Sequence, residues 1–219
     1  MRIFYGGGVT EGSSTSGEVA IGAFGGTGVY EMTGGEFQTD HFVYVGGATV
    51  EDLHRPSHVR KVVLDTWHGA KGELNISGGT FLTTKNIIVG KDGSGVLRLT
   101  GTGTLKASEI IFNQTEGQEA PRIEFTVDGN GKAGNIDSAV KLVFNAPTRV
   151  VVDVSSQQTA GKLGKVAIWR LATAPDGIKN IELELTGGDK INTTNKLILS
   201  DDGTRLYWAP YAGTVVTIR

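Results

Sequence analysis

The 219-residue chain contains no cysteine and only five prolines, and its aromatic content is 7%. Without thiols no disulfide can staple the fold, and a cysteine nucleophile is excluded. No apolar stretch approaches the roughly 20 residues of a membrane-crossing helix. Charge of either sign never accumulates: 21 Lys and Arg stand against 23 Asp and Glu, a formal net charge of −2. With no basic block, general nucleic-acid or anionic-membrane binding is disfavoured. The opening MRIFYGGGVTEG holds an arginine but no apolar signal core, so the chain is expected either to be cytosolic or to lack its export signal.

What the chain has in abundance is glycine, 33 residues, without the Gly-X-Y period of collagen. Many of these glycines recur in order. Aligned at an offset of 44, Gly28 falls on Gly72, Gly34 and Gly35 on Gly78 and Gly79, Phe37 on Phe81, and Gly46 on Gly90. A third copy follows 23 positions later: Leu74 and Ile76 map onto Leu97 and Leu99. One extra residue precedes Leu105, and Ile87, Ile88 and Val89 then match Ile110, Ile111 and Phe112. The unit is about 23 residues, and the 44-residue step is one unit plus an insertion. Such a period marks a stacked repeat.

Within a unit, Leu74 and Ile76 alternate with Glu73, Asn75 and Ser77, the period of two that belongs to strands. No unit carries apolar residues at helical spacing over a helix's length. Two or three short strands joined at glycine corners predict one coil of a parallel β-solenoid. Glycine suits the corners because it tolerates positive φ and close backbone approach. Coils would stack at about 4.8 Å, aligning equivalent side chains in ladders.

Residues 1–18 read as an irregular entry segment and 19–113 as the repeats, with an inserted loop at 47–63. After the polar QTEGQEAP at 114–121, strands lengthen and glycine pairs thin out. Residues 114–219 are therefore expected to form less regular coils and a cap, with a hairpin around Asp202-Gly203.

The copies IGAFGGTGVYEMTGGEF, HGAKGELNISGGTF and VGKDGSGVLRLTGTGTL resemble the autotransporter-associated β-strand repeats of large secreted and surface proteins of Gram-negative bacteria. The later KLGKVAIWRLATA and KLILSDDGTRLYW look like the closing strands of such passengers. The resemblance covers residues 21–113 most closely. It implies a right-handed β-helix, exported or displayed at the cell surface, serving as a stalk, an adhesin or a carrier of inserted loops. Two departures stand out: the family's outer-membrane barrel is not in this sequence, and the 47–63 insertion lies outside the repeat pattern.

Candidate chemistry concentrates in that insertion. All four histidines, His41, His54, His58 and His68, fall within one short stretch, and His54 and His58 follow Glu51 and Asp52. Imidazoles beside carboxylates suit metal ligation or acid–base work on a glycan. However, Pro56 opposes a helix between the two histidines, and no HExxH is present. Glu51, Asp52, His54, His58, Trp67 and His68 form the candidate ligand-binding set; the plainer reading is a solvated loop.

Asp128, Asn130 and Asp137 in VDGNGKAGNID offer alternating oxygens for Ca²⁺ without the closing Glu of an EF-hand. An Asx-rich turn is the competing account. Glu182 and Glu184 share a strand face, and paired carboxylates suggest glycosidase chemistry, but Ile181, Leu183 and Leu185 opposite them describe an ordinary half-buried strand. No residue is assigned as catalytic: no GxSxG elbow or phosphate-binding GK[ST] appears.

The sequence thus predicts a non-enzymatic extracellular scaffold or adhesin-like segment. A polysaccharide lyase or hydrolase on a β-helix and a trimeric phage-type fibre or spike segment are the alternatives. The expected partner is a polysaccharide or a surface, with no nucleic acid, no membrane insertion and no cofactor beyond possible Ca²⁺. The oligomeric state is left open.

Overall fold

The computed structural model describes residues 4–5, 18–23, 25–48, 69–156, 165–187 and 195–210. They form an all-β, solenoid-like stack of mostly parallel strands that curl through about 222° into a half-barrel. The first sheet runs in the order β1 (Phe4–Tyr5), β2 (Val19–Ile21), β4 (Val43–Val45), β6 (Ile87–Val89), β9 (Glu109–Phe112) and β12 (Lys141–Phe144). Every pairing in it is parallel except β1 with β2.

The facing sheet holds β3 (Thr27–Thr39), β5 (Ala70–Thr83), β7 (Gly93–Thr100), β10 (Arg122–Thr126), β13 (Thr148–Asp153) and β15 (Ile181–Thr186). Two short strands, β8 (Thr104–Lys106) and β11 (Asn135–Ile136), continue it beyond the bend of β5.

Side-chain alternation places one apolar face of each sheet inward, and the register turns those faces into ladders. In the first sheet, Val19, Val43, Ile87, Ile110 and Leu142 are successive partners, as are Ile21, Val45, Val89, Phe112 and Phe144. Across from them run Leu74, Leu97, Ile123 and Val150, and Ile76, Leu99, Phe125 and Val152. None of these residues is more than 3% exposed. Each such burial contributes about 1.5–3 kcal/mol. The rings stack along the ladders, with centroids 4.6 Å apart for Phe37 and Phe81 and 5.1 Å for Phe112 and Phe144.

The pairings reproduce most of the repeat alignment: Gly28 lies beside Gly72 and Gly72 beside Gly95, while Ile87, Ile88 and Val89 meet Ile110, Ile111 and Phe112. At the glycine pair the register slips, so that Thr33 rather than Gly34 partners Gly78, before Phe37 and Phe81 realign. One refinement concerns the glycines, which fall into two sets. Gly22, Gly46 and Gly90 turn the corner with φ of 69°, 75° and 76°. Gly28, Gly72 and Gly95 are strand residues packed against those corners. A Cβ on Gly72 would stand 2.1 Å from both the Gly46 nitrogen and the Ile21 oxygen. The two sheets touch there, backbone to backbone, and only hydrogen atoms fit between them.

Beyond Pro121 the same two sheets continue through β10, β12, β13 and β15. A single bridge from Val143 to Asp176 extends the first sheet, and a 3₁₀ turn at Ile178–Asn180 leads into β15. The remaining strands, β14 (Val166–Arg170), β16 (Asn195–Leu199) and β17 (Arg205–Pro210), form a separate antiparallel sheet in the order β14-β17-β16. Its buried side carries Ile168, Trp169, Leu206 and Trp208, each at most 2% exposed, into the same core. Trp169 meets Phe125 at 6.0 Å between centroids and donates its indole N–H to the Gly203 carbonyl at 3.1 Å. No helix among the described residues is long and apolar enough to cross a membrane.

Candidate functional site

Because the inward faces are apolar, any chemistry must lie on the outward faces or in the loops. Strand pairing brings together polar residues that are 23 to 35 positions apart in sequence. On the outer face of the larger sheet, Asn75, Arg98, Glu124, Val151 and Glu184 occupy one row. Glu73, Val96, Arg122, Arg149 and Glu182 occupy the next.

Arg98 bridges three strands. Its Nε donates to Glu124 Oε2 at 2.6 Å, and its Nη1 donates to Glu73 Oε2 and, at 3.3 Å, to Asn75 Oδ1. Arg122 adds a second contact to Glu124 at 3.4 Å, and Arg149 donates to Glu184. Partial burial opposes the charge on Arg98, but its hydrogen bonds to Glu124 and Glu73 outweigh it and raise its pKa above the ordinary range. For Arg149 the hydrogen bond to Glu184 is the leading cause of a shift in the same direction.

Chemically, this arrangement is a set of cross-strand ties. Glu73 and Glu124 both accept from one guanidinium, and Glu184, one of the two carboxylates noted in the sequence, accepts from Arg149. The grouping of an arginine with acids went unread because its members are adjacent only after stacking. At the other sheet's end, Lys141 Nζ lies 2.6 Å from Asp176 Oδ2, which raises the lysine pKa chiefly through that hydrogen bond.

Of the residues singled out from sequence, Glu51, Asp52, His54, His58, Trp67 and His68 lie outside the described residues. His41 sits at a corner, 3.1 Å from Asp40, and its carbonyl accepts the buried Thr83 hydroxyl at 2.6 Å. Asp128 Oδ1 accepts from the backbone nitrogens of Asn130 and Lys132, both at 2.9 Å, in an Asx turn. Asp137 Oδ1 accepts from the Ala139 nitrogen at 3.0 Å, and its Oδ2 lies 3.8 Å from Lys106. Each acid thus has turn or lysine partners of its own. Among the described residues no group of three or more His, Asp or Glu is gathered as a metal site requires.

The antiparallel sheet differs in its electrostatics. Its outward positions hold Arg170, Lys196 and Arg205, and Lys165 leads into β14. Tyr207 lies between them with Lys165 Nζ 3.5 Å and Arg170 Cζ 5.8 Å from its ring centre. Lys165 and Arg170 stand 26 to 40 positions from Lys196 and Arg205, so no basic run announces them.

Comparison with protein-family models, with curated proteins and with solved structures returns no match.

Proposed function

We propose that the chain is a non-enzymatic β-solenoid scaffold, an adhesin-like segment of a secreted or surface-displayed protein. In this reading the stack is a right-handed β-helix whose regular coil is about 23 residues, the spacing between β5 and β7 and between β6 and β9. The resemblance of residues 21–113 to autotransporter-associated repeats supplies the handedness and the exported setting.

The observation that carries the reading is the outer face of the larger sheet. Its carboxylates Glu73 and Glu124 are tied to Arg98, and Glu184 to Arg149, on neighbouring strands. A glycan-cleaving site needs one carboxyl to donate a proton and another to act as base or nucleophile. Here the carboxylates accept from guanidinium groups and join coil to coil, which suits a shaft. The test is incubation of the full chain with bacterial, plant and mucin polysaccharides, with and without Ca²⁺ and Zn²⁺, while new reducing ends and unsaturated products are followed. The expected result is no cleavage. Turnover of any substrate would overturn the scaffold reading.

A further inference from the structure

We propose that the outer face of the antiparallel sheet binds a linear polysaccharide bearing carboxylates, a polyuronate. The proposal deepens the scaffold reading and rests on it, since a scaffold acts through the surfaces it presents.

Strand alternation sorts β14, β16 and β17 into two faces. Trp169, Leu206 and Trp208 point into the core, while Arg170, Arg205, Tyr207, Lys196 and Ile198 line the other side. Lys165, Arg170, Lys196 and Arg205 are all exposed. The strand positions on this face hold no acid, although the whole chain has a formal net charge of −2. Asp201 and Asp202 lie in the turn at its edge, where Asp202 accepts from the hydroxyls of Ser200 and Thr204. Lys165, Arg170 and Arg205 form no ion pair within 4 Å among the described residues, and the one acid acting on them, Asp202, does so on Arg205 through space. On the larger sheet, in contrast, the arginines are tied to glutamates.

A second observation is that the face violates a rule of sheet stability. Arg170 is the direct cross-strand partner of Arg205, and like charges placed opposite one another destabilise a strand pair. The Tyr207 ring beneath Arg170 and the Asp202 carboxylate near Arg205 offset part of that cost, and violations of local rules are concentrated at functional sites. An anion lying between the two guanidinium groups converts that repulsion into attraction, and each group presents a planar fork matched to carboxylate.

The kind of anion follows from the shape and from Tyr207. The exposed part of the face, around Arg170, Arg205, Lys196 and Ile198, suits a short length of extended chain, while Tyr207 and Ala209 on the same side are 8% and 5% exposed. The Tyr207 ring is only 8% exposed beneath Lys165 and Arg170, so it holds the cations in place and leaves no platform for stacking a nucleobase. Among the described residues, Ile198 is the one large apolar side chain exposed on the face, at 41%, too little for insertion into a lipid surface.

The test compares the full chain with its Arg170→Glu/Arg205→Glu variant and with the milder Arg170→Gln. Each is titrated with polygalacturonate, with neutral dextran, with dextran sulfate, with duplex DNA and with anionic phospholipid vesicles, at two salt concentrations. Binding to polygalacturonate, weakened by salt and by about tenfold or more in the double variant, is expected. Dextran should not bind, and the Gln variant should fall between. Circular dichroism and thermal unfolding show whether each variant remains folded. Failure of polygalacturonate to bind, equal binding by folded double variant and parent, or a preference for DNA, vesicles or dextran sulfate overturns the proposal. Cleavage of the polyuronate would instead overturn the scaffold reading while leaving this surface as its binding face.

Discussion

At the scale of single residues, the sharpest contrast is between two glycines of the same repeat motif. Gly72 faces backbone atoms at 2.1 Å from the position of an added Cβ, whereas Gly34 has nothing within 4 Å. Gly72→Ala is therefore expected to destabilise the chain by about 2–3 kcal/mol or more, through overpacking that no side-chain rotation relieves. Gly34→Ala should be neutral or slightly stabilising. Urea unfolding of the two variants checks the difference, and equal midpoints would refute the backbone-contact account. The recurrence of Gly72 was plain in the sequence. Its role as a contact rather than a turn was not, because both demands select the same residue.

Asp202 gives a second residue-scale expectation. The Ser200 hydroxyl and then the Thr204 backbone and hydroxyl hydrogen-bond its carboxylate, lowering its pKa from the ordinary 3.8 to about 2. A group lowered on folding contributes stability that is fully present above its unfolded value and is lost as pH falls through its folded one. The hairpin between β16 and β17 should therefore loosen between about pH 4 and pH 2. Asp202→Ala should remove that dependence. Amide exchange at Thr204 and Arg205 across this window would show it, and an unchanged profile in the variant would count against the assignment.

At the scale of elements, the register of the repeats was legible because equivalent residues recur at constant offsets. Parallel in-register stacking turns such an offset directly into a strand partner: Leu74 with Leu97 and Phe37 with Phe81 are examples. The direction of the later strands was not legible. An alternating run such as Val166–Arg170 has the same pattern whether its neighbour runs parallel or antiparallel, and only the Asp202-Gly203 turn betrayed the β16–β17 pair. The arginine–glutamate ties were hidden for a related reason, since each joins strands whose distance in sequence varies with the length of the intervening loop.

Trp169 is the element-scale counterpart of these pairings, fastening β14 onto the stack through Phe125 and onto the β16–β17 turn through the Gly203 carbonyl. Trp169→Ala is expected to cost about 3–5 kcal/mol. Trp169→Phe keeps the ring contact and loses the hydrogen bond, so its cost should be smaller, about 1–2 kcal/mol. Equilibrium unfolding monitored by circular dichroism distinguishes the two.

At the scale of the whole molecule, neighbouring coils supply nearly all the pairing, as in other stacked repeats. The 44-residue offset between β4 and β6 lies directly beside the 23-residue offset between β6 and β9, with unbroken register through both. Added length is therefore accommodated between strands. Replacing residues 48–62 with a short Gly-Ser turn should leave the stack folded, with a melting temperature within a few degrees of the parent. A cooperative loss of β structure would show that the insertion is part of the core.

The parallel ladders also make the chain a measure of distance. Each further coil on the stack lengthens it by about 4.8 Å, the spacing of adjacent strands, and leaves the cross-section unchanged. The cationic face on the antiparallel sheet would then be carried outward by that increment for every coil gained and drawn inward for every coil lost. Reach would change in small fixed steps, while the chemistry of that face stayed the same.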